Sequence, residues 1–406
     1  MTGWRRTFWV ISASNLIAGA GLMSFLPFFP TLLEGLGMQD LHARAVWSGV
    51  LFGAAPLSAA FSGPMWGSIG DRHGRKIMVV RALCGLALFV GAMTWARTAW
   101  ELLFLRLGQG VLSGYMAPSL TLVSVVAPRE MQGRVTSWLQ TASTIGTILG
   151  PMLGALVLGH LGVRSVFAVV AGAALVSALL VALFAREAHE ARSTNPPPVS
   201  IVSLLAAARD DLRRLLQVPK LREALILYAA VQFALGATNP LMEFLVEATW
   251  TGDHARIEEL TGTLFSALAL SAIVATPLWG RCADRIGPAP VLRVSSALSA
   301  LALAAHALAP AYGWLLAVRI VFGLASPGAS ASAFSLAATE TESGSRGAAM
   351  GTVFSARSFA VSGGSFVAGS VAAALGIRGL FAAAGAVIAV GLLLGRRASA
   401  VRAVVP

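Results

Sequence analysis

The sequence contains little charge and almost no cysteine. Only 12% of its 406 residues are charged and 56% are hydrophobic, whereas a soluble globular protein carries about 25% charge. This composition excludes a soluble core and requires lipid around most of the chain. The two cysteines, Cys84 in an apolar run and Cys282 in a charged turn, argue against a disulfide framework or a metal site.

The sequence also lacks a hydrolase triad, a nucleotide-binding loop and a metal-ligand cluster. Spaced glycines in apolar helices do not form a phosphate cradle. We therefore expect no enzyme activity, no cofactor and no metal, and an energy source that is an ion gradient or the substrate's own gradient. The net charge of +12 lies in short arginine clusters between apolar runs, a distribution that argues against a nucleic-acid partner.

Twelve apolar runs have about the 20 residues that a membrane crossing requires. We therefore expect an all-α membrane protein. The predicted transmembrane helices cover residues 8–33, 46–69, 77–96, 100–127, 135–160, 165–184, 222–247, 261–281, 291–309, 314–337, 348–374 and 379–395.

One long polar segment, Arg186 to Lys220, separates the sixth run from the seventh. It contains three consecutive prolines, a stiff extended break. The stretch from Ser200 to Gln217 has the pattern of an amphipathic helix at the membrane surface. We predict an N-terminal bundle over 1–185, a linker with this helix over 186–220 and a C-terminal bundle over 221–406.

The basic residues predict the orientation of the chain. With the N-terminus inside, far more lysines and arginines lie in inner segments than in outer ones. Both termini and the linker are therefore expected in the cytoplasm, with the chain in a bacterial inner membrane. Arg106, Arg319 and Arg357 fall within spans, where a charge is costly and commonly functional.

A charged motif occurs twice, with Asp71 in the first copy and Asp284 in the second, 213 residues later. The same offset relates Arg106 and Gly110 to Arg319 and Gly323. The repeat predicts two copies of one six-helix unit, which form pseudo-symmetric bundles around a central cavity and alternate its access.

These motifs resemble those of the major facilitator superfamily, over essentially the whole chain. The segment Gly67-x-x-x-Asp71-Arg72-x-Gly74-Arg75-Lys76 matches the loop motif between helices two and three, and Arg106-x-x-x-Gly110 matches the helix-four motif. Gly146-x-x-x-Gly150-Pro151-x-x-Gly154 matches the helix-five motif of drug:proton antiporters, although Ala155 stands where that family often has a second glycine.

The resemblance implies a proton-coupled secondary transporter that exports lipophilic drugs or similar small molecules by alternating access. Its partners would be the substrate, protons and lipid, and the chain would act as a monomer. Two alternatives remain open: a dedicated metabolite exporter or proton-coupled importer on the same fold, and a non-transporting membrane sensor.

The resemblance also assigns a latch and a hinge. In the latch, Asp71 contacts the start of helix eleven and holds the cytoplasmic gate, and the second copy is weaker because it lacks the basic pair. The predicted latch residues are Gly67, Asp71, Arg72, Gly74, Arg75, Lys76, Asp284 and Arg285. The hinge residues, whose small size also permits tight helix packing, are Gly146, Gly150, Pro151 and Gly154.

Proton coupling needs a carboxylate that gains and loses a proton, and acids away from the cytoplasmic loops are few. Glu243 is the best candidate, because it ends a polar stripe on helix seven beside a break at Pro240. Glu34 and Glu247 are alternatives, and Arg106 is expected to modulate the proton site. The expected substrate-cavity residues are polar or charged: Asn15, Gln109, Ser113, Tyr228, Gln232, Asn239 and Arg357.

Overall fold

The computed structural model describes residues 3–112, 114–128, 131–187, 209–210, 212–341 and 346–400. Within these ranges every regular element is a helix, because only internal hydrogen bonds can satisfy the backbone in lipid. Ten segments there are long and apolar enough to cross a membrane. One of them, Ala349–Gly395, is bent at Gly376 and has the length of two crossings. The expected twelve spans are consistent with this architecture.

Among the described residues, the first half of the chain forms eight α-helices. They are α1 (Gly3–Phe25), α2 (Phe29–Gly35), α3 (Leu41–His73), α4 (Arg75–Met93), α5 (Ala99–Leu112), α6 (Met116–Val126), α7 (Gln132–Leu161) and α8 (Val163–Phe184). The second half forms α9 (Pro219–Thr238), α10 (Met242–Glu247), α11 (Ile257–Ile286), α12 (Pro288–Ala307), α13 (Tyr312–Ala325), α14 (Pro327–Thr339) and α15 (Arg346–Ala400).

The chain divides into two compact units. Unit 1 comprises Met1–Gly37 and Ala54–Ile201, and unit 2 comprises Met38–Gly53 and Val202–Pro406. The first part of α3 groups with unit 2, where a Cβ on Gly49 would lie 2.1 Å from the carbonyl oxygen of Ser365. The predicted linker boundaries stay predictions, because residues 188–208 and 211 lie outside the described ranges.

Only the end of the predicted amphipathic segment is described, and residues 212–217 are helical there. Leu215 belongs to the hydrophobic core of unit 2, whereas Leu212 and Leu216 are exposed. Of the leucines in residues 212–217, Leu215 therefore packs into unit 2.

The twofold repeat is present in the backbone. Gly74 and Gly287 both have positive φ, 102° and 87°, and each joins two consecutive helices. Gly162 and Gly376, at 81° and 75°, do the same near the end of each half. Such φ values favour glycine, because they crowd a Cβ atom. The turns that connect equivalent helices are thus shared by both halves.

The motif between helices two and three is mostly helical, which corrects the expectation of a turn. The predicted helix 46–69 is longer: α3 continues through His73, Gly74 alone interrupts the helix, and α4 begins at Arg75. In the second copy α11 continues through Asp284 and Arg285 to Ile286. Charged residues at the end of a membrane helix reach water without leaving the helix, so their charge alone does not predict a loop.

Candidate functional site

Arg106 lies in α5 and is almost completely buried in unit 1, with 2% of its surface exposed. Its Nη1 donates a hydrogen bond to Oε1 of Gln109 at 2.5 Å, and Gln109 is buried too. The guanidinium carbon lies 5.7 and 5.5 Å from the ring centroids of Phe25 and Phe29. An amide oxygen and two aromatic faces therefore stabilise this buried cation. Ser113, predicted on the same face, lies outside the described residues.

Arg319 occupies the equivalent place in unit 2 and is fully buried. Its Nη2 donates to Oδ1 of Asn239 at 2.8 Å, and its guanidinium carbon lies 5.3 Å from the ring centroid of Phe265. Its Nε and Nη1 have no hydrogen-bond partner in the described part of the chain. The two halves thus bury an arginine in the same way, beside an amide and an aromatic ring.

Both arginines lie against a break in the first helix of their unit. A 3-10 turn, Leu26–Phe28, separates α1 from α2 between the two phenylalanines that cover Arg106. A second turn, Asn239–Leu241, separates α9 from α10 and contains the acceptor for Arg319. Each turn contains a proline, which cannot donate a helical hydrogen bond. Broken helices of this kind form binding sites in transporters.

The break predicted at Pro240 is thereby confirmed. Glu243 follows it, half-buried in the first turn of α10. Glu34 is exposed near the end of α2. The side chain of Asn15 is buried in unit 1, and neither its oxygen nor its nitrogen has a partner among the described residues. The roles of these three residues stay predictions.

Two predicted cavity residues are in contact in unit 2. Nε2 of Gln232 donates to the hydroxyl of Tyr228 at 3.0 Å, and both side chains are buried. A third, Arg357, lies on α15 three residues after Phe354 and therefore on the same face of that helix. Two aromatic rings that sequence reasoning missed extend the group. The Tyr228 ring packs on Phe334 with centroids 6.0 Å apart, and Phe334 packs on Phe354 at 4.9 Å. We call Tyr228, Phe334, Phe354 and Arg357 the aromatic–arginine patch.

The latch motif is only partly described. The side chains of Gly67, Asp71 and Arg72 lie outside the described set, so the predicted latch contact stays a prediction. Trp66, just before them, donates from Nε1 to the carbonyl of Val111 at 2.6 Å, and Trp279 repeats this bond to Leu324 at 2.7 Å. Asp284 and Arg285 are both exposed at the end of α11. The repeat therefore extends to how each motif is anchored within its own unit.

Glu187, which sequence reasoning missed, caps the helix that carries Arg75 and Lys76. Its Oε1 accepts from the backbone N–H of Arg75 at 2.7 Å, and its Oε2 accepts from that of Lys76 at 3.2 Å. The first N–H groups of a helix have no partner within the helix, and its N-terminus favours a negative charge. A carboxylate just after α8 therefore fixes the start of α4.

Replacing Glu187 with glutamine is expected to lower the midpoint of thermal unfolding by a few degrees and leave the protein folded. One N–H loses its acceptor and the helix loses the charge at its N-terminus, at a cost of about 1–2 kcal/mol. Thermal unfolding of the purified protein measures the change, with Glu247→Gln, an exposed acid in α10, as the control. Equal midpoints for the two variants would contradict the cap.

The predicted hinge glycines pack α7 against α1. A Cβ on Gly146 would lie 2.1 Å from the carbonyl oxygen of Leu16, and one on Gly150 would lie 2.5 Å from that of Ala20. Pro151 lies within the helix. In unit 2, a Cβ on Gly364 of α15 would lie 2.0 Å from the carbonyl oxygen of Phe233 in α9. The predicted tight packing of helix five is therefore present; its role as a hinge stays a prediction.

Comparison with known proteins adds an independent result. The family model of the Major Facilitator Superfamily matches residues 11–251 and 224–404. The chain is 31% identical, over 323 residues, to the multidrug resistance protein MdtG of Salmonella paratyphi C and to that of Salmonella typhimurium. Each alignment covers 79% of this chain and 78% of the relative.

Solved structures share the fold at low sequence identity. A bacterial homologue of the human lysosomal transporter Spinster, in an inward-facing and unoccupied conformation, has a TM-score of 0.79 at 14% identity, covering 98% of this chain and 97% of that one. The nucleoside transporter NupG also has a TM-score of 0.79 at 14% identity, covering 99% and 100%. These likenesses concern the fold.

Proposed function

Because the chain belongs to the Major Facilitator Superfamily, we propose that it is a proton-coupled exporter of lipophilic drugs or similar small molecules. It is a multi-pass membrane transporter that moves a small-molecule substrate by alternating access, and it is not an enzyme. The observation that carries drug export is the 31% identity to multidrug resistance proteins across 79% of the chain.

The proposal assigns the proton to Glu243. Its half-buried position just after a helix break supports this role, because a carboxylate there can change its hydration when the surrounding helices move. Arg106 modulates the proton site, and Glu34 is the alternative proton carrier. No cofactor takes part, and the proton gradient supplies the energy.

The remaining assignments follow the same scheme. The substrate binds to the polar or charged residues Asn15, Gln109, Ser113, Tyr228, Gln232, Asn239 and Arg357. The latch motif around Asp71 and Asp284 holds the cytoplasmic gate. The glycines of α7 form the hinge. The basic residues support a cytoplasmic position of both termini, and the similarity to multidrug resistance proteins of Salmonella supports a bacterial inner membrane location. The chain acts as a monomer.

Drug export is tested by comparing accumulation in cells that lack the protein with accumulation in cells that overproduce it. We expect overproducing cells to exclude several lipophilic toxic compounds, and a protonophore to abolish the difference. If no toxic compound is excluded, drug export is contradicted, and a metabolite exporter or an importer takes its place.

Replacing Glu243 with glutamine is expected to abolish proton-coupled export without unfolding the protein. Glutamine keeps the size of the side chain but cannot carry a proton. Transport into inverted vesicles under an imposed pH gradient should fall at least about tenfold, while yield and thermal stability stay near those of the wild type. Glu247→Gln is the control in the same helix. Unchanged pH-driven transport in the Glu243 variant would refute the assignment.

A further inference from the structure

The aromatic–arginine patch offers hydrogen-bond donors without acceptors. The hydroxyl oxygen of Tyr228 accepts from Gln232, and the hydroxyl proton has no acceptor among the described residues. Arg357 makes no hydrogen bond or ion pair within the described part of the chain. The ring contacts from Tyr228 through Phe334 to Phe354 place this guanidinium and the phenol in one patch. Such a pair suits an anion, because charge-assisted hydrogen bonds to a carboxylate are the strong ones.

The helices that build the patch provide no carboxylate for Arg357. Helices α14 and α15 contain no aspartate or glutamate. The acid of α9, Glu223, is buried and accepts two hydrogen bonds from Arg293, at 2.5 and 2.8 Å. Glu340, just after α14, pairs with Lys220 at 2.8 Å. The charge of Arg357 is therefore not neutralised by these helices.

Counted from the starts of their helices, Arg357 and Tyr228 fall near the middle of a hydrocarbon layer. Arg357 is eleven residues into α15, a rise of about 16 Å, and Tyr228 is nine residues into α9, a rise of about 14 Å, in a layer about 30 Å thick. An arginine that faced lipid at this depth would be strongly disfavoured. Arg357 is exposed, Phe354 is 55% exposed and Tyr228 is 2% exposed. Arg357 and Phe354 therefore form the accessible part of the patch, and Tyr228 forms its buried part.

We propose that the aromatic–arginine patch binds amphipathic organic anions, with the anionic group on Arg357 and the hydroxyl of Tyr228 and the aromatic body on Phe334 and Phe354. This inference rests on the proposed export function and names its substrate class. The positive charge of the patch favours an anionic substrate over a cationic one.

The test uses the full-length protein in discs of phosphatidylcholine and three probes with one aromatic body. Naphthoate is anionic at pH 7, its methyl ester is neutral and naphthylmethylamine is cationic. Equilibrium binding of each labelled probe is measured for the wild type and for Arg357→Gln, Arg357→Lys and Tyr228→Phe. Arg378→Gln removes the same charge from a position outside the patch on the same helix and is the matched control.

We expect the wild type to bind naphthoate more tightly than the ester or the amine. Arg357→Gln should weaken naphthoate binding about 10- to 100-fold, and Tyr228→Phe about tenfold, with little effect on the ester. The affinity of Arg357→Lys for naphthoate should lie between those of the wild type and Arg357→Gln, because lysine keeps the charge but not the planar fork. Preferential binding of the amine, or equal losses in the Arg357 and Arg378 variants, would overturn the proposal.

Two further arms separate the possible failures. Accumulation of the same probes in overproducing cells tests export: exclusion of the amine but not of naphthoate contradicts the anion site and leaves export standing. Binding of naphthoate without exclusion of any probe contradicts export and leaves the site standing. Adding phosphatidylglycerol to the discs tests lipid: if the patch takes only this lipid and no naphthoate, the substrate proposal fails.

Discussion

Replacing Gly154 with alanine is expected to lower the thermal stability of the protein and to reduce transport at least about tenfold. A Cβ at this position would lie 1.8 Å from the carbonyl oxygen of Ser24 and 2.8 Å from its Cα. These are backbone atoms of α1, so no side chain can rotate away, and the two helices must separate. Overpacking of this kind costs about 1–3 kcal/mol or more, which exceeds the gain of about 1 kcal/mol in helix propensity.

Gly159 provides the matched control, because it lies in the same helix and a Cβ added there would have no neighbour within 4 Å. Gly159→Ala should therefore leave stability unchanged or slightly higher, through helix propensity alone. Thermal unfolding and vesicle transport are measured for both variants. If the two alanine variants unfold at the same temperature and transport equally, close contact between α1 and α7 is not required.

The sequence was sufficient for the spans and the repeat, because both depend on local patterns. Apolar runs of membrane length predict helices whatever their neighbours are. The offset between Asp71 and Asp284 recurs in the φ angles of Gly74 and Gly287 and in the bonds of Trp66 and Trp279. Proline likewise predicted the break at Pro240.

Contacts between residues far apart in the sequence could not be predicted in this way. Glu187 caps α4 from 112 residues away, and no periodic pattern connects a helix start to an acid after another helix. The patch was found only in part, since its polar members stood out on apolar helices while Phe334 and Phe354 did not. Aromatic residues are common in membrane helices, so their pairing depends on tertiary packing.

The two buried arginines connect the broken helices of the two units to the proposed transport cycle. Each lies against the 3-10 turn of its unit, and in unit 2 the arginine holds Asn239, the first residue of that turn. Glu243 follows the same turn after one intervening residue. Arg319 is therefore a positioning residue for the proposed proton carrier, and its burial carries a cost that folding alone does not require.

Replacing Arg319 with methionine is accordingly expected to separate stability from transport. Methionine fills a similar volume and removes a buried charge, whose Nε and Nη1 have no partner among the described residues. Thermal stability should therefore stay unchanged or rise, even though Asn239 loses its hydrogen-bond donor. Transport should fall at least about tenfold, because the turn before Glu243 is no longer held. Thermal unfolding and pH-driven vesicle transport are measured together.

Arg106→Met in unit 1 should behave in the same way, with an equal or larger loss of transport, since both turns are built alike. Arg378→Met, which removes an exposed arginine, should change neither property. The opposite pattern in the Arg319 variant, lower stability with full transport, would show that the arginine serves packing alone. In that case the pair of buried arginines would be a remnant of the repeat. A requirement of transport is the reason to retain a charge that destabilises the folded chain, and that reason would be missing.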